Sequence, residues 1–384
     1  MKLFHVSDLH LGKRLNEYSL RDDQRHILTQ ILEMMDAERP DALIIAGDVY
    51  DKAMPPADAV TLFDDFLFEL AQRQMPTLIV SGNHDSPERL SFGSRLMEHE
   101  QIYMSRVFDG HTTKVSFTDE HGPVNFYLLP FVKPVNVRSA LLDDHPEEAA
   151  AISSYTDALR AAIRHMDVDE SERNVLVAHQ FVTGAKTSES ENTYVGGLDN
   201  VDVDVFDPFD YVALGHLHSP QRVSRDTVRY CGTPLKYSVS EADQEKSVTV
   251  IELREKGTVD LRFLPLIPLR DLRKIRGTYQ ELTLRDTYQN TNTDDFLHIT
   301  LTDEQDIPYA VDKLRNIYPH LIQLSYDNLR TRNTQELKAT EDAVVLTPSD
   351  LFEQFFETQN NQPMSDDQRA YLQSVIEKIW EDAS

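Results

Sequence analysis

The chain has 384 residues, 40% hydrophobic and 27% charged, a globular balance with enough apolar material for one large domain and appendages. Its single cysteine excludes an intramolecular disulfide framework and suits a reducing, cytoplasmic setting, and no apolar stretch is long enough to span a bilayer. A formal net charge of −27 excludes nucleic-acid binding by the overall field, so such a substrate would need a local basic patch or a basic partner.

The first two-thirds alternate β runs with helical patterns. "KLFHV" (2–6) reads as a strand after which Asp8 and His10 interrupt any signal-peptide-like apolar region. Residues 21–38 read as an amphipathic helix with Ile27, Leu28, Ile31, Leu32, Met34 and Met35 on its apolar face. "ALIIAG" (42–47) is the next strand. Pro55 and Pro56 then open a helix to about Gln74 whose apolar face includes Val60, Phe63, Phe66, Leu67 and Leu70. Further strands are expected at 76–80, 124–131, 174–181 and 211–216, with a hairpin of 246–253 and 259–266 joined through "REKGT". Apolar strands separated by helices imply a layered α/β domain with buried strands.

Near "PLIPLRDLRKIRG" (265–277) two prolines and a basic cluster suggest a boundary, and "RDLRKIRG" reads as a hinge or a linker facing nucleic acid. A small α+β module follows, with strands at 296–301 and 321–326 and a helix at about 308–316. After Pro348, capped helices are expected at 349–359 and 365–383. Leu351, Phe352, Phe355 and Phe356 make an aromatic stripe on the first, and Tyr371, Leu372, Val375, Ile376, Ile379 and Trp380 lie on the second. Such stripes pack either on their own domain or in a partner's groove.

The chemistry-bearing residues follow the strands. Asp8 and His10 come after the first, Asp48 and Asp51 after the second, and Asn83, His84 and Asp85 after the third. His179 ends "NVLVAH", and His216 and His218 follow "YVAL". Any one segment alone would pass for a turn, a helix cap or a core histidine. Five strand ends delivering Asp, Asn and His converge, however, because ligands of open α/β sheets gather beyond the carboxyl ends of strands. Carboxylate, amide and imidazole donors without thiolate suit manganese, iron or zinc better than magnesium or calcium. The number of donors implies two ions, which Asp48 can bridge through its two carboxylate oxygens. Two ions ~3.5–4 Å apart can activate a water and clamp the oxygens of a phosphoryl displacement.

The pattern D-x-H, G-D-x-x-D, G-N-H-D, H, G-H-x-H resembles that of the calcineurin-like metallophosphoesterase superfamily and is complete here. "MKLFHVSDLHLG", "GDVYDKAMPP", "GNHDSPERL", "FVKP", "GHLHSPQ", "YCGTPLKYSVSE" and "PSDLFEQFF" narrow the resemblance to the SbcD family of nuclease subunits, relatives of the Mre-eleven nuclease. It implies a layered αββα metallophosphoesterase domain (1–267), a small α+β capping domain that recognises DNA ends (268–346) and a helical partner-binding tail (347–384). It further implies two divalent ions, most simply manganese, one held by Asp8, His10, Asp48 and His218, the other by Asp48, Asn83, His179 and His216. His84 would act at the scissile phosphate, with Asp85 as its orienter. Archaeal members carry a second histidine where this chain has Asp51, so Asp51 is expected to support the catalytic set rather than replace that histidine.

The implied activity is that of a double-strand 3′-to-5′ exonuclease and a single-strand or hairpin endonuclease in DNA replication, recombination and repair. The implied partner is an SbcC-type ATPase, bound through Leu351, Phe352, Phe355, Phe356 and Trp380, with a homodimer inside a heterotetramer and no membrane. Lys13, Arg14, Arg89 and Lys133 flank the motifs and could contact DNA phosphates, or could be solvated surface charges. No G-x-x-x-x-G-K-[ST] occurs, so a nucleotide site would belong to the partner. A small-substrate phosphatase or cyclic-nucleotide phosphodiesterase would share every ligand, and a scaffold with a decayed site would not need a complete set.

Overall fold

The computed structural model describes residues 1–187, 200–329 and 331, and residues 352, 353, 356, 363–365, 368, 369, 371 and 372 of the tail. The chain divides into two compact units, Met1–Asp271 and Leu272–Ser384.

In the first unit, β1 (Lys2–Val6), β2 (Ala42–Ala46), β3 (Thr77–Val80) and β4 (Ile102–Met104) run parallel in one sheet. A second sheet contains β5 (Thr113–Asp119), β6 (Gly122–Leu129), β7 (Arg173–His179) and β8 (Tyr211–Gly215), with β9 (Gln221–Val223) and β10 (Arg225–Tyr230) at its far edge. The expected hairpin, β11 (Ser247–Leu253) and β12 (Val259–Pro265), closes the first sheet antiparallel to β1. The strand orders are therefore β12-β11-β1-β2-β3-β4 and β9-β10-β8-β7-β6-β5.

Period-two alternation sends one set of side chains from each sheet into a shared layer. Leu3, Ile44, Leu78, Val80 and Ile251 meet Phe126, Leu128, Val175, Val177 and Tyr211 there, all fully buried. The opposite face of the second sheet packs on α3 (Pro134–Leu141) and α4 (Tyr155–Arg164) through Val137, Leu141, Leu159 and Ala162. The outer face of the first sheet, Phe4, Leu43, Ile45 and Ile79, is also fully buried. α1 (Arg21–Glu38) and α2 (Ala57–Gln72) bury apolar stripes of their own, giving the αββα layering.

The second unit is smaller. β13 (Leu272–Gly277), β14 (Phe296–Leu301) and β15 (Leu321–Tyr326) form a parallel three-stranded sheet around Leu282, Leu297, Ile299, Leu301, Leu314 and Tyr318.

Three expectations change. "RDLRKIRG" is not all linker: Leu272–Gly277 is strand β13 of the second unit, with Arg273 bonded to Asp295 at 2.6 Å and Arg276 to Asp327 at 2.6 Å. Its arginines reach carboxylates while Leu272 is buried and Ile275 packs on the core. Val60 lies off the apolar face of α2, 45% exposed, because the buried stripe runs through Ala59, Leu62, Phe63, Phe66, Leu67 and Leu70. Strands β4, β5, β9 and β10 and helices α3 and α4 add to the elements expected from the sequence pattern. The signal for α4 is present in the sequence, since Ser154 and Asp157 form a capping box.

Candidate metal centre

Parallel pairing aligns the strand ends. Val6 pairs with Ile45, Ala46 with Val80, and Gly215 with His179, so the loops after β1, β2, β3, β7 and β8 leave the two sheets along one edge. The two edges are tied directly by His179 Nδ1, 2.9 Å from the Ala46 carbonyl. The first two loops run side by side, with the amides of Asp8, His10 and Leu11 donating to the carbonyls of Gly47, Asp48 and Val49 at 2.9–3.0 Å.

Turning so sharply strains the backbone at the functional positions. Asp8, His10, Asp48 and His216 have φ of 52°, 44°, 48° and 106°. Asp and His tolerate such angles better than most residues, and clusters of them mark functional sites. Two glycines of the motifs are steric necessities. A Cβ on Gly82 would lie 2.1 Å from Asp48 Oδ1, and one on Gly215 would lie 1.8 Å from the Ala46 carbonyl oxygen.

The side chains converge on one buried point. Asp8, His10, Asp48, His179 and His218 are almost fully buried, and His216 is 7% exposed. His10 Nε2 faces His218 Nε2 at 3.2 Å, and His179 Nε2 lies 3.4 Å from Asp48 Oδ2. Asn83 Oδ1 sits 3.0 Å from His179 Nε2 and 2.8 Å from His216 Nδ1. Donor atoms of Asp8, His10 and His218, and of Asp8, Asp48 and His179, fall within 4.8 Å of one another. Distance alone also groups His84 with His10 and Asp48.

These donors fit divalent ions. Two imidazole nitrogens face each other, and His10 Nδ1 and His216 Nε2 are buried without a hydrogen-bond partner among the described residues. A cation satisfies such a set better than a proton does. His179 is also set up as a ligand, because the bond from Nδ1 to the Ala46 carbonyl leaves Nε2 free to coordinate. Burial holds His10 well below the ordinary imidazole value and brings His216 down to about 3, keeping both in the neutral, coordinating form. Burial also opposes charge on His179, but the Asp48 carboxylate raises it to about 9. Burial pushes Asp8 up from the usual carboxylate range. Asp48 goes the other way, because the His179 imidazolium outweighs its burial.

Residues 1–220 match the calcineurin-like phosphoesterase family. Residues 268–360 match the SbcD-type domain described as the Type 5 capsule protein repressor C-terminal domain. The chain belongs to the calcineurin-like phosphoesterases, in the SbcD branch. Over 386 aligned residues it is 32% identical to the SbcD subunit of the SbcCD nuclease of Staphylococcus epidermidis, covering 99% of both chains. Among solved structures, a dimetal phosphatase from Danio rerio is 12% identical with a TM-score of 0.41, covering 70% of this chain and 96% of that one. A protein from Thermus thermophilus is 13% identical with a TM-score of 0.39, over 68% of this chain and 98% of that one. The chain is thus a metallophosphoesterase, a phosphoester hydrolase with candidate His/Asp metal sites.

The structure gathers Asp8, His10, Asp48, Asn83, His84, His179, His216 and His218 at one edge of this phosphoesterase unit. Asp85 departs from its expected role. Its carboxylate accepts main-chain N–H bonds from Val49 (3.1 Å), Tyr50 (2.9 Å) and Gly82 (2.9 Å), pinning two loops together. The His84 ring is instead oriented by its Nδ1, 2.9 Å from the Asp51 carbonyl, and the His84 amide donates to Asp48 Oδ1 at 2.9 Å. Asp51 therefore reaches His84 through its backbone, while its side chain binds Lys13 at 2.8 Å and stands 3.7 Å from His10 Nδ1.

Lys13 is consequently an ion-pair partner within the site. Arg14, Arg89 and Lys133 are exposed, Arg14 bonding the Glu17 carbonyl and Arg89 the Ala53 carbonyl at 3.1 Å. In the tail, Phe352 is 45% exposed and Phe356 is half-buried, while Leu351, Phe355 and Trp380 lie outside the described residues.

Several neighbours of the site escape the motif pattern. Gln24 donates to the His10 carbonyl at 2.8 Å, and Glu241 lies 3.3 Å from His218 Nδ1. Gln24 carries a signal, a polar residue four before Leu28 on the buried stripe of α1. Cys231 lies 3.1 Å from the Ser7 hydroxyl, and burial pushes its thiol far above the usual range.

Proposed function

We propose that this phosphoesterase is the metal-dependent nuclease subunit of a complex with an SbcC-type ATPase, cleaving DNA ends and hairpins in replication, recombination and repair. The observation carrying the reading is the convergence of seven Asp, Asn and His donors at the carboxyl ends of strands from both sheets. Asp8, His10, Asp48 and His218 would hold one ion and Asp48, Asn83, His179 and His216 the other, manganese fitting the mixed oxygen and nitrogen donors. When bound, the pair supplies an activated water and neutralises charge on the phosphoryl oxygens.

The chain's own residues do the rest. Asp48, which both ions would share, accepts the His84 amide, so the loop that carries His84 is tied to that carboxylate. With His84 Nδ1 on the Asp51 carbonyl, Nε2 is the nitrogen that faces substrate, protonating the leaving oxygen or stabilising the transition state. Arg14, Arg89 and Lys133 are exposed cations that can bind phosphate, whereas Lys13 acts on Asp51. With a net charge of −27, DNA is held jointly with the partner rather than by this chain alone.

The module 268–346 would recognise DNA ends, and 347–384 would dock on the ATPase by its aromatic stripe. A homodimer within a heterotetramer is supported by bare apolar side chains on the first unit. Val60 and Phe68, 45% and 60% exposed, share one face of α2, and Phe92 and Leu96 are 83% and 76% exposed. The lone cysteine agrees with a cytoplasmic setting.

The test is a parallel incubation of the purified chain and manganese, alone and with an SbcC-type partner, with hairpin DNA, blunt duplex, cyclic dinucleotides and p-nitrophenyl phosphates. Cleavage of DNA is expected. Turnover of the small esters alone would replace this reading with that of a small-substrate phosphodiesterase, and no turnover at all would leave a scaffold. His84→Ala should abolish cleavage while both ions still bind. Loss of an ion in that variant would make His84 a ligand.

A further inference from the structure

"YCGTPLKYSVSE" carries no ligand of the proposed ions, yet it wraps their imidazoles. The Tyr237 ring stands edge-on to His10 at 5.6 Å and to His218 at 6.1 Å, and its hydroxyl donates to the Leu9 carbonyl. Glu241, fully buried, puts one carboxylate oxygen 3.3 Å from His218 Nδ1 and the other 2.7 Å from the Lys246 ammonium. Thr233 at 3.2 Å and Ser238 at 3.0 Å donate to the same carboxylate. Lys246 is also almost buried and reaches the His218 carbonyl at 2.9 Å.

A buried Glu–Lys pair is an expensive way to close a loop, since apolar residues of similar volume commonly stabilise as well or better. Its geometry accounts for it. The carboxylate can accept a hydrogen bond from Nδ1–H of His218, which places the Nε2 lone pair toward His10 Nε2, 3.2 Å away.

We infer that Glu241 is a positioning residue that fixes the tautomer of His218 for the ion it shares with Asp8, His10 and Asp48, with Lys246 holding Glu241 in place. This rests on the two-ion reading above. Glu241→Gln tests it at near-constant shape. If the carbonyl of the new amide side chain keeps Lys246, its NH2 turns toward His218 Nδ1, which must then accept, moving the ring proton to Nε2 where the ion should bind.

In calorimetric titration with manganese, the wild-type chain should bind two ions. Glu241→Gln should bind one normally and the other about 10–100-fold more weakly, with a lowered urea midpoint in EDTA because the buried Lys246 ammonium loses its charge partner. Glu241→Asp, which keeps the charge, should recover part of the affinity. Unchanged binding of both ions in Glu241→Gln would overturn the inference. So would equal weakening of both ions, because the loss would then come from the fold as a whole and not from the His218 site. Histidine-ring nitrogen shifts of the zinc-loaded wild-type chain give a reading without mutation. A proton on Nδ1 of His218 is expected, and one on Nε2 would refute the tautomer. If the wild-type chain itself binds no ion pair, the functional reading fails first and carries this one with it.

Discussion

Replacing Asp85 by Asn separates two roles for a residue whose charge was expected to serve its neighbour His84. Oδ2 accepts from Val49 at 3.1 Å and Gly82 at 2.9 Å, and Oδ1 accepts from Tyr50 at 2.9 Å. An Asn amide can keep its carbonyl at the Oδ2 position, but its NH2 then meets the Tyr50 N–H, donor against donor. One bond to a carboxylate is lost, about 1.5–3 kcal/mol, and the stranded donor costs about 1–3 kcal/mol more. Burial and the nearby Asp48 push the Asp85 carboxyl upward, so the wild-type charge is itself disfavoured and part of that cost is already present. The net expectation is about 2 kcal/mol of lost stability. Urea unfolding in EDTA should show a lower midpoint at unchanged slope. Manganese affinity should fall with it, because the Asp48 loop is released. A wild-type midpoint combined with lost cleavage would refute this reasoning and return Asp85 to a role on His84.

Gly82→Ala should be less stable and poor in metal, since its methyl would lie 2.1 Å from Asp48 Oδ1 and 2.5 Å from the Asp48 amide nitrogen; wild-type manganese affinity would contradict this. Arg173→Met should spare the metal. It strips Asp119 and the carbonyls of Gly122 (2.6 Å) and Arg254 (3.0 Å) of a buried guanidinium, costing about 3 kcal/mol, while calorimetry should still find two ions. For pH, His179 is raised from 6.5 to about 9, so its contribution to the metal-free fold is complete below pH 6.5 and is lost as pH rises through 9. Asp8, shifted up by burial, acts in the same direction in the acid range. The buried His5, His10 and His216, held below 6.5, act oppositely up to about that pH, so chemical unfolding in EDTA should show less stability at about pH 10 than at about pH 8. Manganese should stabilise more as pH rises, since binding requires the His179 proton to leave. A manganese effect that shrinks over the same interval would contradict the assignment. At about 100 times its Kd the ion should add about 2.7 kcal/mol per site.

The layered fold and the gathering of the donors were legible because both are written locally. Apolar runs such as "ALIIAG" and "NVLVAH" mark buried strands, and parallel strands necessarily deliver their following residues to one edge. Edge strands were harder: Thr113–Asp119 alternates buried and exposed residues weakly, and Gln221–Val223 is three residues long. "RDLRKIRG" misled because its charge resembled a linker while its carboxylate partners, Asp295 and Asp327, lie 22 and 51 residues further on.

The sequence by itself therefore determined which side chains stand at the strand ends, and with them the kind of chemistry. Only the tertiary structure decided how each is held. The bond from His179 to the Ala46 carbonyl spans 133 residues, that from the Asp51 carbonyl to His84 spans 33, and the carboxylate on His218 comes from a loop 23 residues later. Strand and helix periodicity is a property of neighbours along the chain, whereas a proton's place on an imidazole depends on whichever acceptor folding brings to its other nitrogen. The family resemblance pointed to Asp85 as the partner of His84, and the fold gave that place to the carbonyl of Asp51.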